Sequence, residues 1–400
     1  MEDIQQKIVH LASQFLQDTI KIRRYIHQHP DLSGHEQPTA DYVFQTLENY
    51  GIKSYKALNN NAIIALIEGQ KEGQKEGQTK TIALRADMDA LPIKENNDVV
   101  YKSLIDNVMH ACGHDVHTAS LLTVARILNL LKNEFSGNVR LIFQPSEEQF
   151  PGGAFELLQC GVLENPKIDL MLGCHVSPEI KTGAIGLKSG IYMASTDEIY
   201  LTIYGKAGHA ALEDTFINPL LIAAEILLEL EHFCRNYAPQ NVPSVLTFGQ
   251  IEGKGATNIV PQKVDLAGTF RTFDEAWRTN AHKQIENIAN RIATARNGNA
   301  ITNIKKGYPV LINDENSTLK MQKIAQEMLG KENVLTLKHR MTAEDFAYYS
   351  HHFPSVFYRV GTKIDGIDCN LHTPNFNINE NALQIAPAVM SYMAFRWLNE

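Results

Sequence analysis

The sequence predicts an α/β protein with a mostly parallel sheet and a smaller α+β domain inserted into the chain. Strand-like runs alternate with helical periodicity over the first half, which is typical of βαβ units. A different order of elements occupies residues 188–309, and 400 residues are more than one ordinary core accommodates. We therefore expect one domain from residues 1–187 and 310–400, with residues 188–309 forming the inserted domain.

The larger predicted domain starts with two helices in the first 50 residues, separated by a polar turn at residues 29–34. Apolar runs predict strands at residues 61–68, 81–86, 138–143 and 169–174. A helix is expected at about residues 118–135, and a helix near 319–329 and a strand near 356–360 resume the alternation. The polar repeat at residues 68–78 predicts a solvated hairpin extension.

The inserted domain is predicted from the order of its elements. They are a strand at 198–204, a helix at about 216–235, strands at 244–251 and 262–272, a helix at about 275–296 and a strand at 300–306. This β-α-β-β-α-β order is that of a ferredoxin-like unit.

Composition and charge exclude several classes of protein. The 44% hydrophobic and 20% charged residues are typical of a globular protein. A net charge of -8 without a long basic run argues against nucleic acid as a partner. Five scattered cysteines argue against a disulfide framework and for a reducing compartment. The polar N-terminus and the lack of a long apolar run predict a cytoplasmic protein without membrane spans.

Four short segments contain residue types that bind divalent metals. These residues are Cys112 and His114, the pair Glu147 and Glu148, His175, and His372. Most of them follow predicted strands, and in open α/β sheets ligands gather outside the carboxyl ends of the strands. Each residue alone has an ordinary structural interpretation, such as a buried cysteine, a hydrogen-bonded histidine or a solvated glutamate pair. Their succession along the chain favours a metal site.

The chemistry of these residues suits two divalent ions. Cys112 and Glu148 would supply two negative charges, and three neutral imidazoles would complete the ligands. Cys112 and His114 share a face of the chain if their segment is extended. The ions would lower the pKa of a bridging water, and Glu147 would pass its proton to the leaving nitrogen. The sequence therefore predicts a metal-dependent hydrolase.

Longer motifs occur in order along nearly the whole chain. They are RYIHQHPDLS at 24–33, LRADMDALP at 84–92, HACGHDVH at 110–117, FQPSEE at 143–148, GKAGHA at 205–210, TNIVP at 257–261, AEDFA at 343–347 and LHTPNF at 371–376. With these motifs the chain resembles the amidohydrolase branch of the M20 metallopeptidases. That branch contains hippurate hydrolases, N-acyl-amino-acid deacylases and auxin-conjugate hydrolases.

The resemblance implies a catalytic α/β domain with an inserted ferredoxin-like lid that also forms a homodimer. It implies a general base, Glu147, and the ligands Cys112, His114, Glu148, His175 and His372. Two divalent ions are implied. A thiolate with three imidazoles favours zinc, and family members also use manganese, cobalt or nickel.

The resemblance also assigns roles outside the ligand set. In the lid, His209 and Asn258 would help to polarise the scissile carbonyl. Arg271 would meet a substrate carboxylate, because its guanidinium fork suits that group. Asp89 would orient a ligand histidine through a hydrogen bond, whereas Asp87 replaces a ligand histidine of related metallopeptidases.

Two other histidines near the predicted site, His110 and His117, match no role in the family pattern. The chain also departs from that pattern in two places. It has Glu213 and Asn218 where the family has proline and aspartate, and residues 341–343 replace a glycine followed by a small residue. None of these changes falls on a predicted ligand, so their expected effect is on the substrate pocket.

We therefore expect hydrolysis of the amide bond of a small N-acyl-L-amino acid, acetyl or aroyl, to give a carboxylate and a free amino acid. Three alternatives stay open. A dipeptidase or aminopeptidase would use the same two metals, and a different hydrolase would use Cys112 as a nucleophile. A binding protein without catalysis is disfavoured by the intact pair Glu147 and Glu148.

Overall fold

The computed structural model describes residues 2–71 and 79–400, so most of the predicted hairpin extension at 68–78 lies outside the described residues. The helices are α1 (Glu2–Gln28), α2 (Gln37–Asn49), α3 (His114–Leu130), α4 (Gly153–Gln159), α5 (Pro219–Tyr237), α6 (Glu275–Ala295), α7 (Glu315–Leu329), α8 (Ala347–Ser350) and α9 (Ala382–Leu398). The strands are β1 (Ser54–Ala57), β2 (Ala62–Glu68), β3 (Thr81–Asp87), β4 (Asn138–Gln144), β5 (Leu170–Lys181), β6 (Ile185–Leu187), β7 (Gly190–Met193), β8 (Asp197–Tyr204), β9 (Gly208–His209), β10 (Ser244–Glu252), β11 (Ile259–Val260), β12 (Lys263–Thr272), β13 (Asn299–Lys306), β14 (Leu311–Asn313), β15 (Val334–Thr336) and β16 (Ser355–Lys363).

The chain divides into two compact units. The first contains the described residues up to Gly190, together with Ile312–Lys338 and Asp345–Glu400. The second contains Ile191–Leu311 and His339–Glu344. The sequence predicts that residues 339–344 belong to the larger domain. They join the second unit because Arg340 exchanges backbone hydrogen bonds with the segment at 192–194.

The first unit is built on a sheet whose described strands follow the order β1-β2-β4-β3-β5-β16-β6-β15. The central strands β4, β3, β5 and β16 are parallel to one another. Antiparallel pairs occur towards the edges, between β1 and β2, β2 and β4, and β16 and β6. The predicted α/β class with a mostly parallel central sheet is confirmed.

A continuous apolar core fills this unit. Every residue of β3 is buried, which is typical of a parallel strand covered on both faces. Helix α3 packs against α1, α9 and β3, and most of its residues are buried. The core therefore fixes the start of α3 relative to the sheet.

Helix α3 begins at His114, whereas the sequence predicts a start after His117. Gly113 precedes it with a left-handed φ of 84° and turns the chain directly into the helix. A Cβ atom on Gly113 would lie 2.5 Å from Cγ2 of Val176, so a side chain would also clash there. Cys112 and His114 are consequently brought together across a helix start, not along an extended segment.

Strand β5 continues past the predicted end at residue 174, so His175 lies inside the strand. The extension exists because β16 pairs with β5 as far as Lys363 and Lys181. The pairing of β3 with β5 ends earlier, at Arg85 and Gly173. His175 therefore lies near the carboxyl end of β3, in the crevice expected from the sequence.

A buried ion cluster attaches α1 to the first turn of α3. The Nε atom of Arg23 donates to Oδ2 of Asp115 at 2.7 Å, and both side chains are fully buried. His27 places Nδ1 2.9 Å from Asp115 and Nε2 3.2 Å from Glu95. Burial and Arg23 lower the pKa of His27, but the two carboxylates raise it by more, so the net effect is a pKa above its usual value. The cluster thus holds Asp115, the residue that follows His114, in place.

Replacing Arg23 by methionine is expected to lower the free energy of unfolding by about 3–5 kcal/mol, because it strips Asp115 of a buried partner. Urea denaturation of the full chain measures this loss. The control is Lys56→Met, which removes a partly exposed pair with Asp41 and should cost under about 1 kcal/mol. Similar losses in the two variants would contradict the importance of the buried pair.

The second unit contains an antiparallel sheet with the described order β10-β12-β8-β13. Its main elements follow one another as β8, α5, β10, β12, α6 and β13. Apolar residues of both helices and of the sheet form a separate core. Strand β10 lies at an edge of this sheet and is largely exposed. In the described part of the chain, none of the helices is both long and apolar enough to span a bilayer.

Candidate metal centre

The first unit brings the predicted ligands together. Three of the groups of donor atoms that lie within 4.8 Å of one another consist of these ligands and Glu147: Cys112, His114 and His175; Cys112, Glu148 and His372; and His114, Glu147 and Glu148. The donors come from loops, from the start of a helix and from a strand. They meet because β3 and β4 end at the same crevice, and β5 runs along it.

The thiol of Cys112 is shared by two of these groups. Its Sγ is 3.2 Å from Nε2 of His175 and 3.3 Å from Nε2 of His372. The same Nε2 of His372 is 3.2 Å from Oε1 of Glu148. Burial, Glu148 and Glu147 raise the pKa of the Cys112 thiol well above its usual range. A thiol placed among carboxylates in this way needs a cation to become a thiolate.

The orientation of His114 is set by Asp89. Nδ1 of His114 is 3.1 Å from Oδ1 of Asp89, and both side chains are buried. The Nε2 atom of His114 is buried and has no hydrogen-bond partner among the described residues. Since Asp89 accepts the proton of Nδ1, Nε2 is the nitrogen left for a metal ion to bind in place of a proton.

His175 is oriented in the same sense by the backbone. Its Nδ1 donates to the carbonyl of Val176 at 2.7 Å, which leaves Nε2 facing Cys112. Burial lowers the pKa of His175, and Arg359 and His117 lower it further. The ring is therefore a neutral imidazole, the form that binds metals.

The electrostatic field of the site favours a cation. Burial lowers the pKa of His114, yet Asp87, Asp89 and Glu148 raise it to about 10. The carboxylates thus hold a proton on this ring strongly. A divalent ion at the same position would satisfy the same charges, so the residues present fit a metal.

Asp87 and His117 form a further group of donors with His114, but their contacts argue against metal binding. Nδ1 of His117 lies 2.6 Å from Oδ1 of Asp87, and Nε2 accepts the backbone N–H of Val176 at 2.9 Å. Both ring nitrogens of His117 are therefore occupied. The other oxygen of Asp87 accepts from Arg85 at 2.7 Å.

Glu147 and Glu148 follow β4 in a tight turn, and Glu147 is almost fully buried. Oε1 of Glu147 accepts the backbone N–H of Asp345 at 3.3 Å. Asp345 is itself fixed by Arg85 and Gln144, each at 2.7 Å. The sequence alone predicts no role for Arg85, Gln144 or Asp345, although each lies inside one of the motifs given above.

His372 reaches the site with a left-handed φ of 59°, an unusual conformation for a residue with a side chain. Its backbone N–H donates to the carbonyl of Ala111 at 2.8 Å, which ties it to the loop before Cys112. His110 of that loop is buried, and burial lowers its pKa to about 4. It belongs to none of the donor groups found among the described residues.

The remaining predicted residues lie in the second unit. His209 on β9 pairs with Ile259 on β11, and the backbone carbonyl of Asn258 accepts from Ala210 at 3.0 Å. Nδ1 of His209 accepts the N–H of Ala211 at 3.2 Å, which leaves the proton on Nε2 of this exposed ring. His209 and Asn258 are therefore neighbours.

The departures from the family pattern also lie in this unit. Arg271 donates to the carbonyl of Met341 at 3.0 Å. The altered segment at 341–343 therefore contacts the residue that is predicted to bind the carboxylate of the substrate. Asn218 caps α5, because its Oδ1 accepts the N–H of Leu220 at 3.0 Å. Glu213 is exposed in a short 3₁₀ turn, Glu213–Thr215.

Comparison with known proteins identifies the family. Residues 83–396 match the profile described as peptidase family M20/M25/M40, which is more than half of the chain. The protein belongs to peptidase family M20/M25/M40. The predicted resemblance is confirmed, and so is the prediction of a hydrolytic enzyme.

Individual relatives of this M20 protein cover most of its length. The N-acetyl-L-cysteine deacetylase of Bacillus subtilis is 37% identical over 365 residues, which are 91% of this chain and 84% of that protein. The N-acyl-L-amino acid amidohydrolase of Geobacillus stearothermophilus is 36% identical over 308 residues, or 77% of this chain and 81% of that protein.

A solved structure extends the likeness to the fold. The YXEP protein of Bacillus subtilis, described as a dinuclear metal binding peptidase from the M20 family, matches with a TM-score of 0.80. Its sequence is 31% identical, and the match covers 96% of this chain and 99% of that one. The M20 fold is thus shared over nearly the whole chain.

Proposed function

We propose that this M20 protein hydrolyses the amide bond of N-acyl-L-amino acids, with two divalent metal ions held by Cys112, His114, Glu148, His175 and His372. The observation that carries the proposal is the convergence of these donors beside Glu147. The names of the relatives support the substrate class, since two of them are an N-acetyl-L-cysteine deacetylase and an N-acyl-L-amino acid amidohydrolase.

The reaction follows from the position of Glu147. When bound, the two cations would lower the pKa of water at the site and offset the charge that develops on the carbonyl oxygen. Glu147 would accept a proton from the attacking water and deliver it to the leaving nitrogen. Its contact with the N–H of Asp345 holds the carboxylate in a fixed orientation for both transfers.

We assign the second unit the role of a lid. Nε2–H of His209 and the side chain of Asn258 would donate to the carbonyl oxygen of the substrate, and Arg271 would bind its carboxylate. The exposed edge strand β10, with Val245 and Ile251 exposed on it, supports a homodimer formed through this unit. Composition and free cysteines support a cytoplasmic location.

The test is release of free amino acid from N-acetyl and N-benzoyl amino acids, with dipeptides as competing substrates. The protein is loaded in turn with zinc, manganese, cobalt or nickel, and a chelated sample is the control. We expect metal-dependent release from the N-acyl substrates. Preference for dipeptides would favour the peptidase alternative, and release unaffected by chelation would favour Cys112 as a nucleophile.

Replacing Asp89 by asparagine is expected to weaken metal binding by about 10–100-fold. The substitution removes the negative charge and exchanges one carboxylate oxygen for an NH2 group, so the acceptor that orients Nδ1 of His114 is weakened. Competition with a chromophoric chelator measures the change. Asp98→Asn is the control, since Asp98 is exposed and should leave the affinity as it is in the wild type. Equal affinities for Asp89→Asn and the wild type would refute this role of Asp89.

A further inference from the structure

A buried carboxylate outside the ligand set contacts the turn that carries Glu147. Glu36 immediately precedes α2 and is fully buried, yet its side chain does not cap that helix. Its Oε1 instead accepts the backbone N–H of Ser146 at 2.7 Å and lies 3.2 Å from the Ser146 hydroxyl. A buried carboxylate that reaches across to another segment is retained at a cost in desolvation. The contact therefore invites a functional explanation.

Ser146 is the residue whose conformation sets the course of this turn. Its φ is 56°, in the left-handed region that residues with side chains rarely adopt. Its hydroxyl accepts the N–H of Gly34 at 2.9 Å, and its carbonyl accepts the N–H of Gly153 at 3.1 Å. The contacts to Glu36 and Gly34 together hold the strained residue that directly precedes Glu147.

The other side of Glu147 is held by a second buried carboxylate. Oδ2 of Asp89 accepts the backbone N–H of Glu148 at 2.9 Å and the hydroxyl of Ser33 at 2.7 Å. The two residues that flank Glu147 thus each donate a backbone N–H to a buried carboxylate. Ser146 donates to Glu36, which precedes α2, and Glu148 donates to Asp89, which follows β3. This arrangement fixes the backbone on both sides of the proposed base.

We propose that Glu36 is a positioning residue, which sets the placement of Glu147 and Glu148 by holding Ser146 in its left-handed conformation. The proposal rests on the proposed function of those two glutamates. Glu36 acts as a hydrogen-bond acceptor, and its charge is not required. Burial and Asp89 raise its pKa to about 7, which is consistent with an acceptor whose ionised form is not strongly favoured.

The acceptor can be removed or kept by single substitutions. Glu36→Ala removes it, Glu36→Asp withdraws it by one methylene while keeping the charge, and Glu36→Gln keeps an oxygen but loses the charge. The control is Glu48→Ala, because Glu48 is an exposed residue of α2. Glu36→Ala leaves a cavity and could fail to fold. In that case the comparison of Glu36→Asp with Glu36→Gln decides the question.

We expect Glu36→Ala and Glu36→Asp to lower kcat by about 10–100-fold, as for other groups that orient metal-site residues, with KM changed less than twofold. Hydrogen exchange of the peptide at 143–149 should accelerate in both, and their metal dissociation constants should rise. Glu36→Gln and Glu48→Ala should resemble the wild type in all three measurements. If Glu36 had a merely structural role, its variants would lose thermal stability, but Glu36→Gln and Glu36→Asp would not differ in kcat, hydrogen exchange and metal affinity.

Two outcomes overturn the proposal. One is unchanged exchange and kcat in Glu36→Asp, and the other is an equal loss in Glu36→Gln and Glu36→Asp. Failure of the proposed function is distinguishable, because it would appear as a wild-type protein that releases no amino acid from any N-acyl substrate. Hydrogen exchange and metal affinity would still decide the role of Glu36 in that case.

Discussion

Replacing Glu147 by glutamine is expected to lower kcat by about 10²–10⁴-fold, because the amide cannot accept the proton of the attacking water. Metal content should stay at the wild-type value, since the ligand set around Cys112 is unchanged. The measurement combines turnover of the best N-acyl substrate with metal analysis of the same sample. Glutamine preserves the shape of the side chain and the acceptor for the N–H of Asp345, so the fold is not expected to suffer.

The matched control is Glu164→Gln, because Glu164 is an exposed residue of the same unit and belongs to none of the donor groups among the described residues. It should leave both kcat and metal content unaltered. Wild-type turnover by the Glu147 variant would remove this residue from the role of general base. Loss of metal together with turnover would instead make Glu147 a ligand.

Replacing Cys112 by alanine is expected to remove most bound metal, and turnover with it. Its Sγ is the atom shared by two of the donor groups, so its loss disturbs contacts to both His175 and His372. Metal analysis after dialysis against metal-free buffer measures the effect. A fully loaded Cys112 variant that has lost turnover would favour the nucleophile alternative over the ligand.

Cys174→Ala provides the matched control for this change. Cys174 adjoins His175 and is 5% exposed, the same fraction as Cys112, but it belongs to the apolar core. We expect its substitution to retain metal and turnover. Loss of metal in this variant as well would show that packing around β5, and not the thiolate of Cys112, governs occupancy.

Local pattern predicts most of the elements in this chain. The strands that the sequence predicts at 244–251 and 262–272 correspond closely to β10 and β12. Helix α9 carries no periodic signal, since 13 of its 17 residues are buried and Pro387 lies inside it. A helix that is apolar all round carries little periodicity for sequence reasoning to detect.

The chemical types in the candidate site can be predicted from sequence, but their geometry cannot. Cys112 and His114 meet because Gly113 turns the chain into α3, which depends on the space beside Val176. Likewise, the free nitrogen of His114 is determined by Asp89, a partner 25 residues away. Such contacts arise from tertiary packing, so neither spacing nor composition reveals them.

The position of β16 between β5 and β6 has a consequence for synthesis of the protein on the ribosome. Both flanking strands leave the exit tunnel long before β16 does, so the nascent sheet has a gap where β16 will pair. His372 emerges later still, 260 residues after Cys112. The growing chain therefore exposes unpaired strand edges and an incomplete set of predicted ligands until β16 and His372 have been translated, and chaperones have that interval in which to act.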